Sequence, residues 1–284
     1  MISDSVDLVI YHADCPDGWC SAFIARKKFP TASLLPRMHG QPIPMALLEG
    51  KNVLVCDFSW RTKEDNDKVK SVCQSFHILD HHMTAQEVLK GCDYATFDMT
   101  RSGAGITWDT LFPTQARPWY VDYVEDRDLW NWRLPESKVI NAYLMTLTHC
   151  VDAWKELDHM DTEEAFHLGE GALSQVEHYI EKVTAQALPA EIGGYRALLV
   201  NAPYTNISDV CHEMLNQRKD VAIAAGWFLR GDGKIQYSFR SRREDDVDVS
   251  KIAQSYGGGG HRNAAGAQAS MESGLLIVKT WLML

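Results

Sequence analysis

The sequence predicts an α/β protein with a parallel sheet near its amino terminus. Three short, apolar runs rich in β-forming residues, at 6–11, 52–58 and 76–80, are each followed by a polar or amphipathic stretch. An apolar run of this length, bounded by polar segments, is typical of a buried strand. The alternation of such runs with helical patterns indicates parallel strands joined by crossover helices.

The chain also carries a second group of strands, separated from the first by a helical segment. Strand signals disappear from Asn141 to about Ala190, and then return in 194–202, 221–229 and 234–242. The last two runs are joined by a Gly-Asp-Gly turn that favours a hairpin. A length of 284 residues with 45% apolar content is enough for two cores. We therefore expect three parts, which are an α/β domain over 1–150, a helical connector over 151–190 and a smaller α/β domain over 191–284.

Composition narrows the function classes. No apolar run reaches the roughly 18 residues that a membrane span needs, and the amino terminus lacks the pattern of a leader, so we expect a cytoplasmic protein with no membrane partner. Seven cysteines without a C-x-x-C pair argue against a disulfide framework or a thiolate zinc cluster. The net charge of −10 argues against passive wrapping by nucleic acid, although bound cations can reverse the field locally.

Acidic groups and histidines recur just past the predicted strands. The first run is followed by HADCPDG, the second ends at Asp57, and the third ends in Asp80-His81-His82; a later helix closes with acidic residues around Asp126. Parallel strands bring their carboxyl ends to one edge of the sheet, where open α/β sheets bind ligands. Imidazole and carboxylate groups together suit manganese and similar divalent ions. The pattern favours a metal site at this edge.

Each motif also has an ordinary structural explanation. HADCPDG alone would more often be a turn, and Asp57 alone could cap a helix. His81 and His82 are adjacent and so point to opposite faces of a strand, which leaves at most one of them for the same metal ion. The acidic residues near Asp126 could be a solvated charge run. The joint occurrence of these motifs at successive strand ends favours the metal site.

Five motifs together resemble those of the DHH phosphoesterase superfamily, in the subfamily with a carboxyl-terminal DHHA1 domain. They are HADCPDG, VLVCDFSW, ILDHH, YVEDRDLW and SYGGGGHRNAAG, and they span nearly the whole chain. The superfamily includes RecJ-like exonucleases, oligoribonucleases, cyclic dinucleotide phosphodiesterases and, without DHHA1, family II pyrophosphatases. The resemblance implies a metal-dependent hydrolase of phosphorus–oxygen bonds.

The resemblance also implies roles for individual residues. Two ions are expected, Mn²⁺ first, with Mg²⁺ or Co²⁺ as the alternatives. Asp57 is expected to bridge them and, with Asp80 and His82, to serve the chemistry, with His82 facing the substrate. The expected metal ligands are His12, Asp14, Asp17, Asp57, His81 and Asp126.

The second domain is expected to bind the substrate. Glycines let a backbone approach a phosphate closely, and an arginine binds phosphate through two parallel hydrogen bonds. The alternative for the glycine run is a flexible loop. In the first domain, the segment TRSGAGITWD predicts a turn of small residues that leads into a helix, and it adds Arg101 and Ser102 as candidates. The expected substrate-binding residues are Arg101, Ser102, Arg240, Gly258, Gly259, Gly260, His261 and Arg262.

The expected function is hydrolysis of short oligonucleotides or small (di)nucleotides by a metal-activated water, in a cleft between the two domains. A chain of this length leaves no room for the extra domain that holds long single strands, so processive digestion is disfavoured. Two alternatives stay open, which are a phosphoanhydride hydrolase acting on pyrophosphate or polyphosphate, and a non-catalytic nucleotide-sensing module. The expected partner is the nucleic acid or nucleotide substrate, and a homodimer remains open.

Overall fold

The structure is a computed structural model that describes residues 2–13 and 15–282. The chain divides into two compact units, Met1–Leu173 and Ser174–Leu284. Within the described residues, no helix combines the length and the apolar character that a bilayer crossing needs.

The first unit is built on a five-stranded sheet in which every pair of neighbouring strands is parallel. The spatial order is β2-β1-β3-β4-β5. The three predicted runs form β1, β3 and β4, so the predicted parallel sheet is confirmed. The strands are β1 (Leu8–His12), β2 (Ser33–Arg37), β3 (Asn52–Cys56), β4 (Ser75–Asp80) and β5 (Ala95–Phe97).

Helices cover both faces of this sheet. Several start at recognisable signals: Pro16 occupies the first turn of α1, and the side chains of Thr62 and Ser102 cap α3 and α5. A short 3₁₀ turn lies between α8 and α9. The helices are α1 (Pro16–Lys28), α2 (Met45–Leu48), α3 (Lys63–Val72), α4 (Met83–Val88), α5 (Gly103–Leu111), α6 (Trp119–Asp128), α7 (Ser137–Leu144) and α8 (Val151–Lys155), and α9 (Thr162–Thr184) begins in the first unit and ends in the second.

Alternate residues of the central strands fill two separate cores. Val9 and Leu54 belong to the core on one face, while their neighbours Ile10 and Val55 belong to the core on the other. This double burial explains why the strands are continuous apolar runs rather than alternating ones. The chain reverses its direction of sheet growth between β1 and β3, and such a reversal opens a crevice at the carboxyl ends of the two strands.

The second unit contains a six-stranded mixed sheet in the order β10-β11-β9-β8-β7-β6. Only β7 and β8 are parallel; the other described pairs are antiparallel. The predicted hairpin between β8 and β9 is present, with Gly233 at a φ of 79°. Its elements are β6 (Leu188–Ile192), β7 (Tyr195–Asn201), α10 (Ile207–Gln217), β8 (Ile223–Leu229), β9 (Lys234–Arg240), α11 (Val249–Ser255), β10 (Gly259–His261), β11 (Ala264–Ser270) and α12 (Met271–Trp281).

The predicted alternation along β9 is also observed. Ile235, Tyr237 and Phe239 are buried in the core of the second unit, while Gln236 and Ser238 remain partly exposed. A sheet with helices in each unit confirms the predicted two-domain α/β class.

Candidate metal centre

Asp57 is the central residue of the site. It follows β3 directly, is 1% exposed and adopts a left-handed backbone with a φ of 54°. Non-glycine residues in this region are uncommon and tend to cluster at functional sites. Neither oxygen of its carboxylate has a hydrogen-bond partner among the described residues. A buried charge is stable only when it is paired or coordinated, so this carboxylate fits a cation ligand.

Two histidines approach Asp57 from opposite sides. The Nε2 atom of His81 lies 3.2 Å from Asp57 Oδ1, and the Nδ1 atom of His12 lies 3.6 Å from Asp57 Oδ2. His12 ends β1 and His81 follows β4, and these two strands flank β3 in the sheet. The three neighbouring strand ends therefore meet as the sequence predicts, with one histidine for each oxygen of the carboxylate.

Asp17 joins the cluster from the first turn of α1. Its two oxygens accept hydrogen bonds from the backbone N–H groups of Gly103 (2.7 Å) and Ala104 (2.8 Å), at the start of α5. A Cβ atom added at Gly103 would lie 2.6 Å from Asp57 Cβ and 2.8 Å from Asp17 Oδ2. Only glycine allows α5 to approach both carboxylates this closely.

Among the described residues, the donor atoms form three groups that share Asp57. The first consists of Asp17, Asp57 and His81, the second of His12, Cys15 and Asp57, and the third of Asp57, Asp80 and His82; within each group the potential ligand atoms lie within 4.8 Å of one another. Asp14, also predicted as a ligand, lies outside the described residues. Sequence reasoning missed Cys15, because a single cysteine without a C-x-x-C partner resembles an ordinary core residue.

The structure brings Asp128, rather than Asp126, to this cluster. Asp128 Oδ2 lies 3.5 Å from His81 Nε2, and a quarter of the Asp128 side chain is exposed. The Asp126 carboxylate instead accepts hydrogen bonds from the backbone N–H of Arg133 (3.0 Å) and from Ser137 Oγ (2.6 Å). Its oxygens are thus occupied by the loop between α6 and α7.

Asp80 positions its neighbours. Its Oδ1 atom accepts hydrogen bonds from the backbone N–H of His81 (2.7 Å) and lies 2.7 Å from His82 Nδ1, while Oδ2 accepts one from Ser59 Oγ (2.6 Å). Asp80 is fully buried. This arrangement fixes the His82 ring through Nδ1.

The charged groups of the cluster shift one another's pKa values. Burial opposes ionisation of Asp57, but the nearby His12 and His81 outweigh it and hold the Asp57 pKa well below its usual range. Burial, together with the charges of Asp57 and Asp128, raises the pKa of Asp17 well above its usual value. Although burial disfavours the imidazolium, Asp128 and Asp57 raise the pKa of His81 well above 6.5. The cluster therefore concentrates negative charge that protons must balance, and a divalent cation could replace them.

Burial also disfavours the charged forms of Asp80 and His82, but the attraction between the two side chains outweighs the effect of burial. The adjacent His82 lowers the pKa of Asp80 to about 2. In return, the charge and hydrogen bond of Asp80 raise the pKa of His82. His82 is therefore held in its protonated form to a higher pH than a free histidine.

Two residues predicted to bind substrate make structural contacts at α5. Ser102 is buried and its hydroxyl accepts a hydrogen bond from Gly105 N (3.1 Å), which caps the helix. Arg101 donates to the backbone carbonyl of Gly105 (2.9 Å) and pairs with Asp109. The described contacts of both side chains thus serve the start of this helix.

The remaining predicted substrate residues lie in the second unit. Arg240 ends β9 and donates a hydrogen bond to Ser208 Oγ at 2.5 Å. His261 ends β10, and Arg262 occupies the following turn, where its exposed guanidinium pairs with Asp246 at 2.7 Å. An exposed pair of this kind is weak, so Arg262 can exchange its partner for a phosphate.

The glycine run forms part of a hairpin. Gly259 and Gly260 belong to β10, which pairs with β11 in an antiparallel manner. A Cβ atom at Gly258 would lie 2.0 Å from the carbonyl oxygen of Gly266, and one at Gly260 would lie 2.6 Å from that of Ala264. At these two positions, close packing against the neighbouring strand already requires glycine.

Comparisons with known proteins agree with this fold. Residues 200–278 match the DHHA1 domain family. An uncharacterized protein, R106 of Acanthamoeba polyphaga mimivirus, is 29% identical over 296 residues, covering 96% of this chain and 70% of that protein.

Two solved structures share the architecture. The pGpG-specific phosphodiesterase PggH from Vibrio cholerae is 12% identical, with a TM-score of 0.51 and 96% of both chains covered. RecJ from Thermus thermophilus, solved with Mn²⁺, is 18% identical, with a TM-score of 0.53; 96% of this chain matches 51% of RecJ, so the chain spans about half of that protein. The chain therefore matches a DHHA1 domain over residues 200–278, and its likeness to these two structures extends to the fold.

Proposed function

We propose that this protein is a divalent-metal-dependent phosphodiesterase that hydrolyses short oligonucleotides or small (di)nucleotides. The observation that carries the proposal is the buried Asp57 carboxylate, whose Oδ1 lies 3.2 Å from His81 Nε2 and whose Oδ2 lies 3.6 Å from His12 Nδ1. A carboxylate in this position suits a bridge between two cations, and paired cations are typical of phosphoryl-transfer sites.

The ligand set is proposed from the geometry. His12, Cys15 and Asp57 would hold one ion; Asp17, Asp57 and His81 would hold the other, with Asp128 as a further donor beside His81. Mn²⁺ is the ion we expect first, because carboxylates and imidazoles dominate, with Mg²⁺ or Co²⁺ as alternatives. When bound, two such ions neutralise phosphate charge and lower the pKa of a water molecule.

His82 is proposed to act on the substrate. Asp80 holds its Nδ1 atom at 2.7 Å and favours the protonated ring, so Nε2 can donate a hydrogen bond to a phosphate oxygen or a proton to the leaving group. Asp80 thus acts through His82 and orients it, in the way that a buried carboxylate orients a catalytic histidine. Asp17 similarly holds α5 against the cluster through two backbone hydrogen bonds.

The preference for nucleotide substrates rests on two supports. The first is the likeness to PggH, which is a pGpG-specific phosphodiesterase, and to RecJ. The second is the set of donors in the DHHA1 domain, in which Arg240, His261 and Arg262 are proposed to bind the phosphate or base and Gly258–Gly260 to shape the hairpin that carries them. Charge-assisted hydrogen bonds from arginine are well suited to phosphate.

A panel of substrates tests the proposal. The purified protein would be incubated with Mn²⁺ and with linear dinucleotides, cyclic dinucleotides, longer single strands or pyrophosphate, and the products resolved by chromatography. We expect turnover of dinucleotides and short oligonucleotides, abolished by a chelator and restored by Mn²⁺, with Asp57→Asn as the inactive control. Turnover of pyrophosphate alone would make the protein a phosphoanhydride hydrolase. Nucleotide binding without any turnover would make it a sensing module.

A further inference from the structure

The loop after α6 holds two tryptophans in a conformation that bulky residues rarely adopt. Trp130 and Trp132 both have left-handed backbones, with φ angles of 55° and 54°. Glycine or asparagine is the usual occupant of this region. Such a conformation persists only where the surrounding structure imposes it, and it is found preferentially at functional sites.

Asp126 imposes this conformation. Its backbone carbonyl accepts a hydrogen bond from Asn131 N at 2.8 Å, and its carboxylate accepts others from Arg133 N at 3.0 Å and Ser137 Oγ at 2.6 Å. A buried carboxylate with several donors is a rigid anchor. Asp126 therefore holds the segment at Asn131, between the two indoles, and at Arg133, directly after them.

The two indoles form a compact, half-buried aromatic surface. Their rings meet edge to face with centroids 5.1 Å apart, and the Arg127 guanidinium carbon lies 5.9 Å from the centroid of Trp130 and 5.5 Å from that of Trp132. Both side chains keep part of their surface exposed. We call Arg127, Trp130 and Trp132 the tryptophan platform.

The platform lies next to Asp128 in the chain. Asp128, whose carboxylate lies 3.5 Å from His81 Nε2, is located in the chain between Arg127 and Trp130. Aromatic rings and arginine planes are the surfaces on which nucleic-acid bases stack, and the stacking tolerates any base because every base has a π-face. Because Asp128 directly follows Arg127, the chain leads from the platform to a side chain that contacts His81.

We propose that the tryptophan platform is a nucleobase subsite, where one base of the substrate stacks while its phosphodiester occupies the metal centre. This inference rests on the proposed function and narrows it to substrates that carry a base. It also explains why Asp126 is used to hold the loop rather than to bind a metal ion.

Binding and turnover together test the platform. The quenching of tryptophan fluorescence by adenosine monophosphate would be compared with that by ribose 5-phosphate, which lacks the base. Three proteins serve the comparison: the wild type, Trp132→Gly, which removes the ring but accepts the left-handed backbone, and Trp132→Phe, which keeps an aromatic face. Turnover of a dinucleotide and of its abasic analogue would be measured in parallel.

We expect the wild type and Trp132→Phe to bind the base-bearing ligand in preference to ribose 5-phosphate. Trp132→Gly should lose about tenfold in affinity for the nucleotide and in kcat/KM for the dinucleotide, with turnover of the abasic analogue unchanged. Equal binding of both ligands by the wild type, or equal losses on both substrates in Trp132→Gly, would overturn the inference. Absence of turnover of every substrate, with base-dependent binding intact, would overturn the proposed function and leave the subsite standing.

Discussion

Replacing Gly103 by alanine should damage the metal centre through packing alone. The added Cβ atom would lie 2.6 Å from Asp57 Cβ, whereas non-bonded carbons pack at about 3.5–4.0 Å, so α5 and Asp57 must separate by about 1 Å. Overpacking of a dense core costs about 1–3 kcal/mol. In a unit of this size, each kcal/mol lowers the melting temperature by about 2–4 °C.

The shift should also weaken metal binding. Gly103 N donates to Asp17 Oδ2 at 2.7 Å, so moving α5 by this amount displaces Asp17 relative to Asp57. Metal sites tolerate errors of only about 0.5 Å, and we expect at least a tenfold loss of Mn²⁺ affinity. Thermal denaturation in a chelator and titration calorimetry with Mn²⁺ measure the two effects separately.

Gly171→Ala is the matched control. Gly171 lies inside α9, where an added Cβ atom meets no atom within 4 Å, and alanine is favoured over glycine in a helix by up to about 1 kcal/mol. The same substitution should therefore stabilise the protein at this position, whereas it destabilises the protein at Gly103. If Gly103→Ala melted within about 1 °C of the wild type and bound Mn²⁺ equally well, the packing argument would fail.

Three further predictions concern the charged groups. Because the pKa of Asp80 is about 2 in the folded protein, its charge stabilises the fold above about pH 4, and this contribution is lost as the pH falls towards 2. Asp80→Asn should therefore lower the free energy of unfolding by about 2 kcal/mol at pH 6, measured by denaturant unfolding without metal. An unchanged unfolding midpoint would refute this. His81 must lose its proton to bind an ion, and its pKa is raised, so the affinity for Mn²⁺ should increase with pH across the neutral range. An affinity that does not depend on pH would contradict this. Replacing His261 and Arg262 together by alanine should reduce kcat/KM for a dinucleotide much more than for an activated aryl phosphate ester, and the amount of bound Mn²⁺ should not change. Equal losses on both substrates would mean that these residues act at the reacting centre or maintain the fold.

The sequence predicts the parts of the site that depend on local patterns. β1, β3 and β4 are central strands buried on both faces, so each is a clear apolar run, and the residues that follow them, His12, Asp57 and His81, meet because the strands are adjacent. The edge strand β2 escaped prediction, since its residues are only partly buried and it contains a proline, which edges tolerate. With three residues, β5 is too short to have a periodic pattern.

The choice between Asp126 and Asp128 could not be made from the sequence. The two carboxylates are two positions apart near the end of one helix, so they point to different sides of it. Which of them faces the sheet depends on how α6 packs, and which accepts loop hydrogen bonds depends on the turn that follows. Neither property has a local sequence signal.

The glycine run shows a different limit. Its composition indicates close approach of a backbone, and the structure has such an approach at Gly258 and Gly260, but the neighbour is β11 of the same hairpin. Composition alone does not distinguish a phosphate from a neighbouring strand.

The metal stoichiometry of Asp57→Asn tests the central claim most directly. Equilibrium dialysis against Mn²⁺ followed by elemental analysis would count the ions bound to the wild type and to the variant, with circular dichroism as a check that the variant is folded. We expect the wild type to bind two ions per chain and Asp57→Asn to lose at least one, because a neutral amide cannot bridge two cations as a carboxylate does. Two ions bound with unchanged affinity in the variant would contradict the proposal that Asp57 bridges a pair of metals.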